Sequence, residues 1–179
     1  MNAALLEVEN LGRQFVARRS ALGRPTAVVT AVEAVSFSLA AGTTLALVGE
    51  SGCGKSTVSR LVLRLIEPDA GAVRFEGRDL GALDANALRA FRRDAQIIFQ
   101  DPYASLNPRM QAGELVAEPL NNFAQSDRAK MESGPERRER VAWLFGKVGL
   151  RPEAMTKYAH EFSGGQRQRL GIAKALAVN

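Results

Sequence analysis

The residues best placed to do chemistry are consecutive. Gly49-Glu50-Ser51-Gly52-Cys53-Gly54-Lys55-Ser56-Thr57 satisfies the pattern G-x-x-x-x-G-K-[ST]. Glycines let a backbone take positive φ and come close to a ligand. The amides of such a loop then converge on phosphate oxygens at the positive end of the helix that follows. Lys55 supplies a point charge for β- and γ-phosphates, Ser56 a hydroxyl for Mg²⁺, and Thr57 a hydroxyl near the helix start. Glu50, Ser51 and Cys53 serve through their main-chain N–H groups. The chemistry requires a strand before the loop and a helix after it. Thr44 to Val48 is an apolar run of strand length, expected as a strand buried on both faces. Val58, Leu61, Val62, Leu65 and Ile66 share one helical face, and Pro68-Asp69-Ala70-Gly71 is expected to end that helix.

Two later segments carry further polar chemistry. In Phe162-Ser163-Gly164-Gly165-Gln166-Arg167, Ser163 is a good helix N-cap and the glycines leave that helix end bare, which makes it an anion site. In Gln96-Ile97-Ile98-Phe99-Gln100-Asp101-Pro102, Gln100 follows a second apolar strand-like run and precedes a proline turn, so its amide falls on a hinge. The single histidine, His160, reads as a surface or packing residue.

Around these segments the order is β, then α/β, then helical. Leu5–Val8, Ala27–Val29 and Val35–Leu39 read as strands, with Arg18 to Pro25 an exposed loop. Ala72–Phe75 reads as a short strand closed by a turn at Glu76–Asp79, and Asp84 as the cap of a helix through Arg92. Gly113–Phe123 reads as a helix that Pro119 bends or breaks. A polar loop follows over Ala124–Pro135. Val141, Leu144, Phe145 and Val148 mark another helix ending near Gly149, and Gly164–Val178 a last one.

The bulk numbers set limits. A chain of 179 residues with 46% hydrophobic and 24% charged residues is globular in composition, neither disordered nor collagenous. No apolar run reaches the ~20 residues of a membrane-spanning helix, and Met1 to Glu7 lacks the pattern of a secretory signal. The lone cysteine, Cys53, excludes an internal disulfide and suits a reducing compartment. The net charge of +5 comes from Lys and Arg spread along the chain, a solvated basic surface rather than a nucleic-acid stripe.

Taken together, the loop at Gly49–Thr57, the Ser163–Arg167 segment and the Gln96–Pro102 segment resemble, in that order, the phosphate loop, signature motif and Gln loop of ATP-binding cassette (ABC) proteins. Phe162 stands where the family usually has Leu, and Lys174 where Arg is commoner. Asp101 to Met110, Gly113-Glu114 and Ala117-Glu118-Pro119-Leu120 further resemble the ATP-binding subunits of bacterial dipeptide, oligopeptide and nickel importers. This resemblance extends over essentially the whole chain.

The resemblance implies an α/β P-loop NTPase fold of ABC type: an antiparallel β subdomain and a RecA-like α/β core over residues 1–100, a helical subdomain over 101–162, and the signature helix over 163–179. It implies ATP and Mg²⁺ as cofactors. Phe15 would stack on adenine, Gly49 through Thr57 would hold the phosphates, and Ser56 and Gln100 would touch Mg²⁺, Gln100 also positioning the attacking water. Ser163, Gly164, Gly165 and Gln166 would contact the ATP held by a second, opposed ABC subunit, in a homo- or heterodimer. The helical subdomain would dock a membrane permease, and a solute-binding protein would act indirectly. The place of work would be the cytoplasmic face of the inner membrane, held peripherally. Nucleic acid is not expected as a partner. Two other readings are a soluble, non-transport ABC ATPase acting on nucleic acid or ribosomes, and a P-loop kinase in which the Ser163 segment is coincidental.

The family carries an apolar strand ending in Asp-Glu beyond its signature helix, and none of these 179 residues matches it; Asp69 and Glu118 lack the context. The resulting expectations are that the 179-residue polypeptide binds nucleotide weakly at best and hydrolyses ATP negligibly, and that uncovered strand faces leave it marginally stable or prone to aggregate.

Overall fold

The computed structural model describes residues 4–20, 24–101, 105–124 and 134–178. The tip of the loop expected at Arg18–Pro25, most of the loop at Ala124–Pro135, and Pro102-Tyr103-Ala104 of the importer-like segment lie outside the described residues. The chain forms two compact units, Met1–Ala90 and Phe91–Asn179.

The first unit is built on strands β1 (Ala4–Arg19), β2 (Pro25–Ala40), β3 (Ala70–Phe75) and β4 (Arg78–Asp79) in one antiparallel sheet of order β2-β1-β3-β4. The separate runs at Ala27–Val29 and Val35–Leu39 belong to a single strand. Register shifts between Val8 and Arg13 let β1 and β2 bend while staying paired, with Asn10 and Ala34 at positive φ. Glu76 and Gly77 both take positive φ and close the tight β3–β4 hairpin.

Helix α1 spans Lys55–Val62 and buries Val58 and Leu61. It stops earlier than the apolar spacing predicts, and Leu65 is exposed. The stop is made by Arg64 at φ 47°: its N–H donates to the Leu61 carbonyl at 2.9 Å, and the Leu65 N–H donates to the Arg60 carbonyl at 2.8 Å. This is a Schellman closure without glycine. The Arg64 guanidinium then donates to the Leu80 and Leu83 carbonyls at 2.6 and 2.9 Å, which compensates the uncommon backbone.

Thr44–Val48 and Gln96–Phe99 depart from their expectation as buried strands. Neither has a ladder partner among the described residues, and Val48 is 91% exposed. An apolar segment of this kind becomes a buried strand only when neighbours supply backbone partners on both edges and cover both faces.

Helix α2 (Ala85–Asp94) starts where the sequence places its cap, with the Ala87 N–H donating to Asp84 Oδ1 at 2.8 Å. The second unit packs α3 (Ala112–Ala124), α4 (Gly134–Lys147) and α5 (Gly164–Leu176) around Leu115, Val116, Leu144, Phe145 and Leu170. Helix α3 runs through Pro119 without interruption. Pro119 is itself buried, so packing outweighs the one backbone hydrogen bond it forfeits. Phe162 lies in this same core, which explains why one large apolar residue can replace another there.

Candidate functional site: a phosphate cradle at the start of α1

The loop Gly49–Gly54 leads directly into α1, and its residues are solvent-accessible. Gly54 is the N-cap residue at φ 97°, and no side chain caps this end. The first-turn amides of Lys55, Ser56 and Thr57 therefore have no intrahelical partner and present their partial positive charge outward. A Cβ at Gly54 would sit 2.2 Å from the Ala31 carbonyl oxygen of β2. The requirement for glycine here is thus both conformational and steric.

Lys55 turns back across the loop. Its Nζ donates to the Gly49 and Glu50 carbonyls at 2.8 and 2.7 Å and lies 3.4 Å from Cys53 Sγ. A flexible cation is so gathered at the same place as the free amides. The Cys53 side chain packs on Gly49, where a Cβ would meet its sulfur at 2.7 Å.

This cradle fits a polyphosphate: bare helix amides, a glycine where no Cβ fits, and one mobile ammonium group. Among the described residues no group of three or more His, Cys, Asp or Glu could hold a metal ion unaided. That suits Mg²⁺, which is bound by few protein ligands together with substrate phosphates and water. Ser56, exposed in the first turn of α1, is placed to be such a ligand.

Phe15 belongs to the same unit. It pairs with Val29 across β1 and β2. Gly54 abuts Ala31, two residues along β2 from Val29, about 7 Å at the rise of a strand. Phe15 is 39% exposed, and the Arg13 guanidinium lies over its ring with its carbon 5.1 Å from the centroid.

Gln100 and Ser163–Gln166 belong to the second unit. Gln100 is exposed at a bend after the irregular Gln96–Phe99 segment. Ser163 caps α5 through a reciprocal box: its Oγ accepts from the Gln166 N–H at 3.3 Å, and Gln166 Oε1 accepts from the Ser163 N–H at 2.9 Å. A Cβ at Gly164 or Gly165 would meet nothing within 4 Å. None of the described residues therefore requires glycine at these two positions, although glycine is a poor helix former. The Ser163→Ala variant is expected to lose about 1 kcal/mol of stability, read as a lower urea midpoint; an unchanged midpoint would contradict the capping role.

Structural roles account for the remaining candidates. His160 stacks on Tyr158 with centroids 5.7 Å apart, and its carbonyl accepts from Arg167. Asp69 pairs with Arg13 at 2.6 Å and accepts from the Gln14 N–H. Glu118 pairs with Lys174 at 2.6 Å, tying α3 to α5. The Arg13–Asp69 pair is the feature that sequence reading missed. Its members lie 56 residues apart, and no local signal links them.

Comparison with known proteins agrees with this geometry. Residues 32–179 match the family model described as "ABC transporter". The chain is 50% identical over 178 residues to the "Probable peptide ABC transporter ATP-binding protein y4tS" of Sinorhizobium fredii, covering 99% of this chain and 49% of that one. It is 51% identical over 175 residues to the "Glutathione import ATP-binding protein GsiA" of Escherichia coli O157:H7, covering 98% and 27%. The chain thus spans about half, or about a quarter, of the curated relatives it matches. Among solved structures, the dimeric post-hydrolysis state of the ATP-binding cassette MJ0796 bound to ADP and Pi aligns with a TM-score of 0.82 at 28% identity, over 97% of this chain and 70% of that one. The fold is also that of cbiO1 from Clostridium perfringens, with a TM-score of 0.72 at 22% identity over 98% and 62%.

Proposed function

The chain belongs to the ABC transporter family, and on that premise we propose that it is the ATP-binding, energy-coupling part of a peptide-type importer. The observation that carries the proposal is the cradle at the N-terminus of α1: Gly54 pressed on Ala31, free first-turn amides, and Lys55 folded over the loop mouth. The names of the peptide and glutathione relatives support the importer assignment.

In this reading Gly49 through Gly54 and the amides of Lys55, Ser56 and Thr57 bind the phosphates. The Lys55 ammonium exchanges the carbonyls of Gly49 and Glu50 for β- and γ-phosphate oxygens. Ser56 and Gln100 are the residues that would hold Mg²⁺, which when bound neutralises phosphate charge. Phe15 offers a face for the base. Ser163, Gly164, Gly165 and Gln166 form a capped but sterically open helix end, suited to the phosphates of ATP on a second, head-to-tail subunit. Residues 101–162 would dock permease subunits, and a solute-binding protein would deliver the solute. The site of action would be the cytoplasmic face of the inner membrane; no described helix is long and apolar enough to cross it.

Asp69 and Glu118 are each engaged in an ion pair, with Arg13 and Lys174 respectively. We propose that the 179 residues by themselves bind MgATP weakly and do not turn it over; phosphate release at enzymatic rates by this purified polypeptide would overturn that. The transport reading is tested by uptake of labelled dipeptides, oligopeptides and glutathione in cells whose chromosomal copy carries Lys55→Ala. Loss of uptake of one of these solutes is expected. Uptake of all of them at the parental rate would overturn the importer assignment.

A further inference from the structure

Phe15 is not left to hold its ring by itself. The Arg13 guanidinium lies over the ring, 5.1 Å from its centroid, and is fixed from behind. Its Nη1 donates to Asp69 Oδ1 at 2.6 Å and to the Glu67 carbonyl at 3.0 Å. Asp69 is in turn immobilised: its second oxygen accepts from the Gln14 N–H at 2.7 Å, and its own N–H donates to the Gly12 carbonyl at 2.9 Å. The segment that leaves α1 is thereby locked to the strand that carries the aromatic residue. Phe15 nevertheless stays 39% exposed.

We propose that Arg13, held by Asp69, is a positioning residue for nucleotide binding: its guanidinium backs one face of Phe15 and presents the other face to the nucleobase. This rests on the reading of Phe15 as the base-stacking residue. A planar cation over one face of an aromatic ring is attracted to that face and keeps the ring from turning. A ring so fixed loses less freedom when a base stacks on it. Stacking is tolerant of base identity because every base has a π-face. The arrangement should therefore raise affinity for nucleotides in general and contribute little to discrimination between ATP and GTP.

The test measures dissociation constants of MgATP, MgGTP and inorganic tripolyphosphate by calorimetry for the parent chain and for the Phe15→Ala, Arg13→Gln and Asp69→Asn variants. Tripolyphosphate reports on the cradle alone. Phe15→Ala should weaken both nucleotides roughly tenfold and leave tripolyphosphate unchanged. Arg13→Gln and Asp69→Asn should weaken both nucleotides roughly threefold, again with tripolyphosphate unchanged. If Phe15→Ala has its effect and Arg13→Gln has none, the positioning role of Arg13 is overturned and the stacking role of Phe15 stands. If Phe15→Ala has no effect, both are overturned. Equal losses for nucleotide and tripolyphosphate in Arg13→Gln would mean that the pair supports the fold alone, and would also overturn the proposal.

Discussion

Replacing Gly54 with alanine is expected to damage stability and ligand binding together. The residue sits at φ 97°, and an added Cβ would stand 2.2 Å from the Ala31 carbonyl oxygen. The left-handed backbone alone costs a non-glycine residue roughly 1–2 kcal/mol. The clash is with backbone in the middle of β2, not with the tip of a flexible side chain, so the loop or the strand must move. A total of about 2–4 kcal/mol follows, within the range of strained backbone positions. Urea denaturation should show it as a lower midpoint, and amide hydrogen exchange should show loosening at Ala31 and Val32. Because the same movement misaligns the first-turn amides of α1, MgATP affinity should fall at least tenfold. A Gly54→Ala variant with parental midpoint and parental affinity would contradict the tight seat described for this loop.

Lys55→Ala is expected to separate the two effects. The side chain is part of an accessible loop and holds two carbonyls that water can solvate instead. Stability should change by less than about 1 kcal/mol. Ligand affinity should change far more, because the variant removes a side-chain cation from the mouth of the cradle. Hydrogen bonds to charged groups contribute about 1.5–3 kcal/mol each, so a loss of about a hundredfold in MgATP affinity is expected. Calorimetric titration alongside a melting curve checks both halves. Affinity within twofold of the parent would remove Lys55 from the binding role assigned to it.

What the sequence made legible, and what it did not, follows from the range of the interactions. The cradle is local: nine consecutive residues specify a turn, a helix start and a cation, and the turn and helix start form there, although the strand read before them has no ladder partner among the described residues. The Ser163 cap is local too, complete within four residues. The two apolar runs at Thr44–Val48 and Gln96–Phe99 read as strands because composition reports what a segment can bury; it does not report whether ladder partners are at hand. The early stop of α1 was hidden because it rests on Arg64 in a backbone state that glycine usually takes, supported by the carbonyls of Leu80 and Leu83. The sequence marks Pro119 as a bend or break of its helix; the helix is not broken there, because tertiary packing carries α3 past it. The backing of Phe15 by Arg13 depends on Asp69, an acid with no telling neighbours in sequence.

The central claim is that residues 49–57 form the polyphosphate site. Backbone amide NMR during titration of the chain with MgATP tests it most directly. The largest shift changes are expected on Gly52, Gly54, Lys55, Ser56 and Thr57. Changes confined to residues outside this loop, or no saturable change at all, would contradict it.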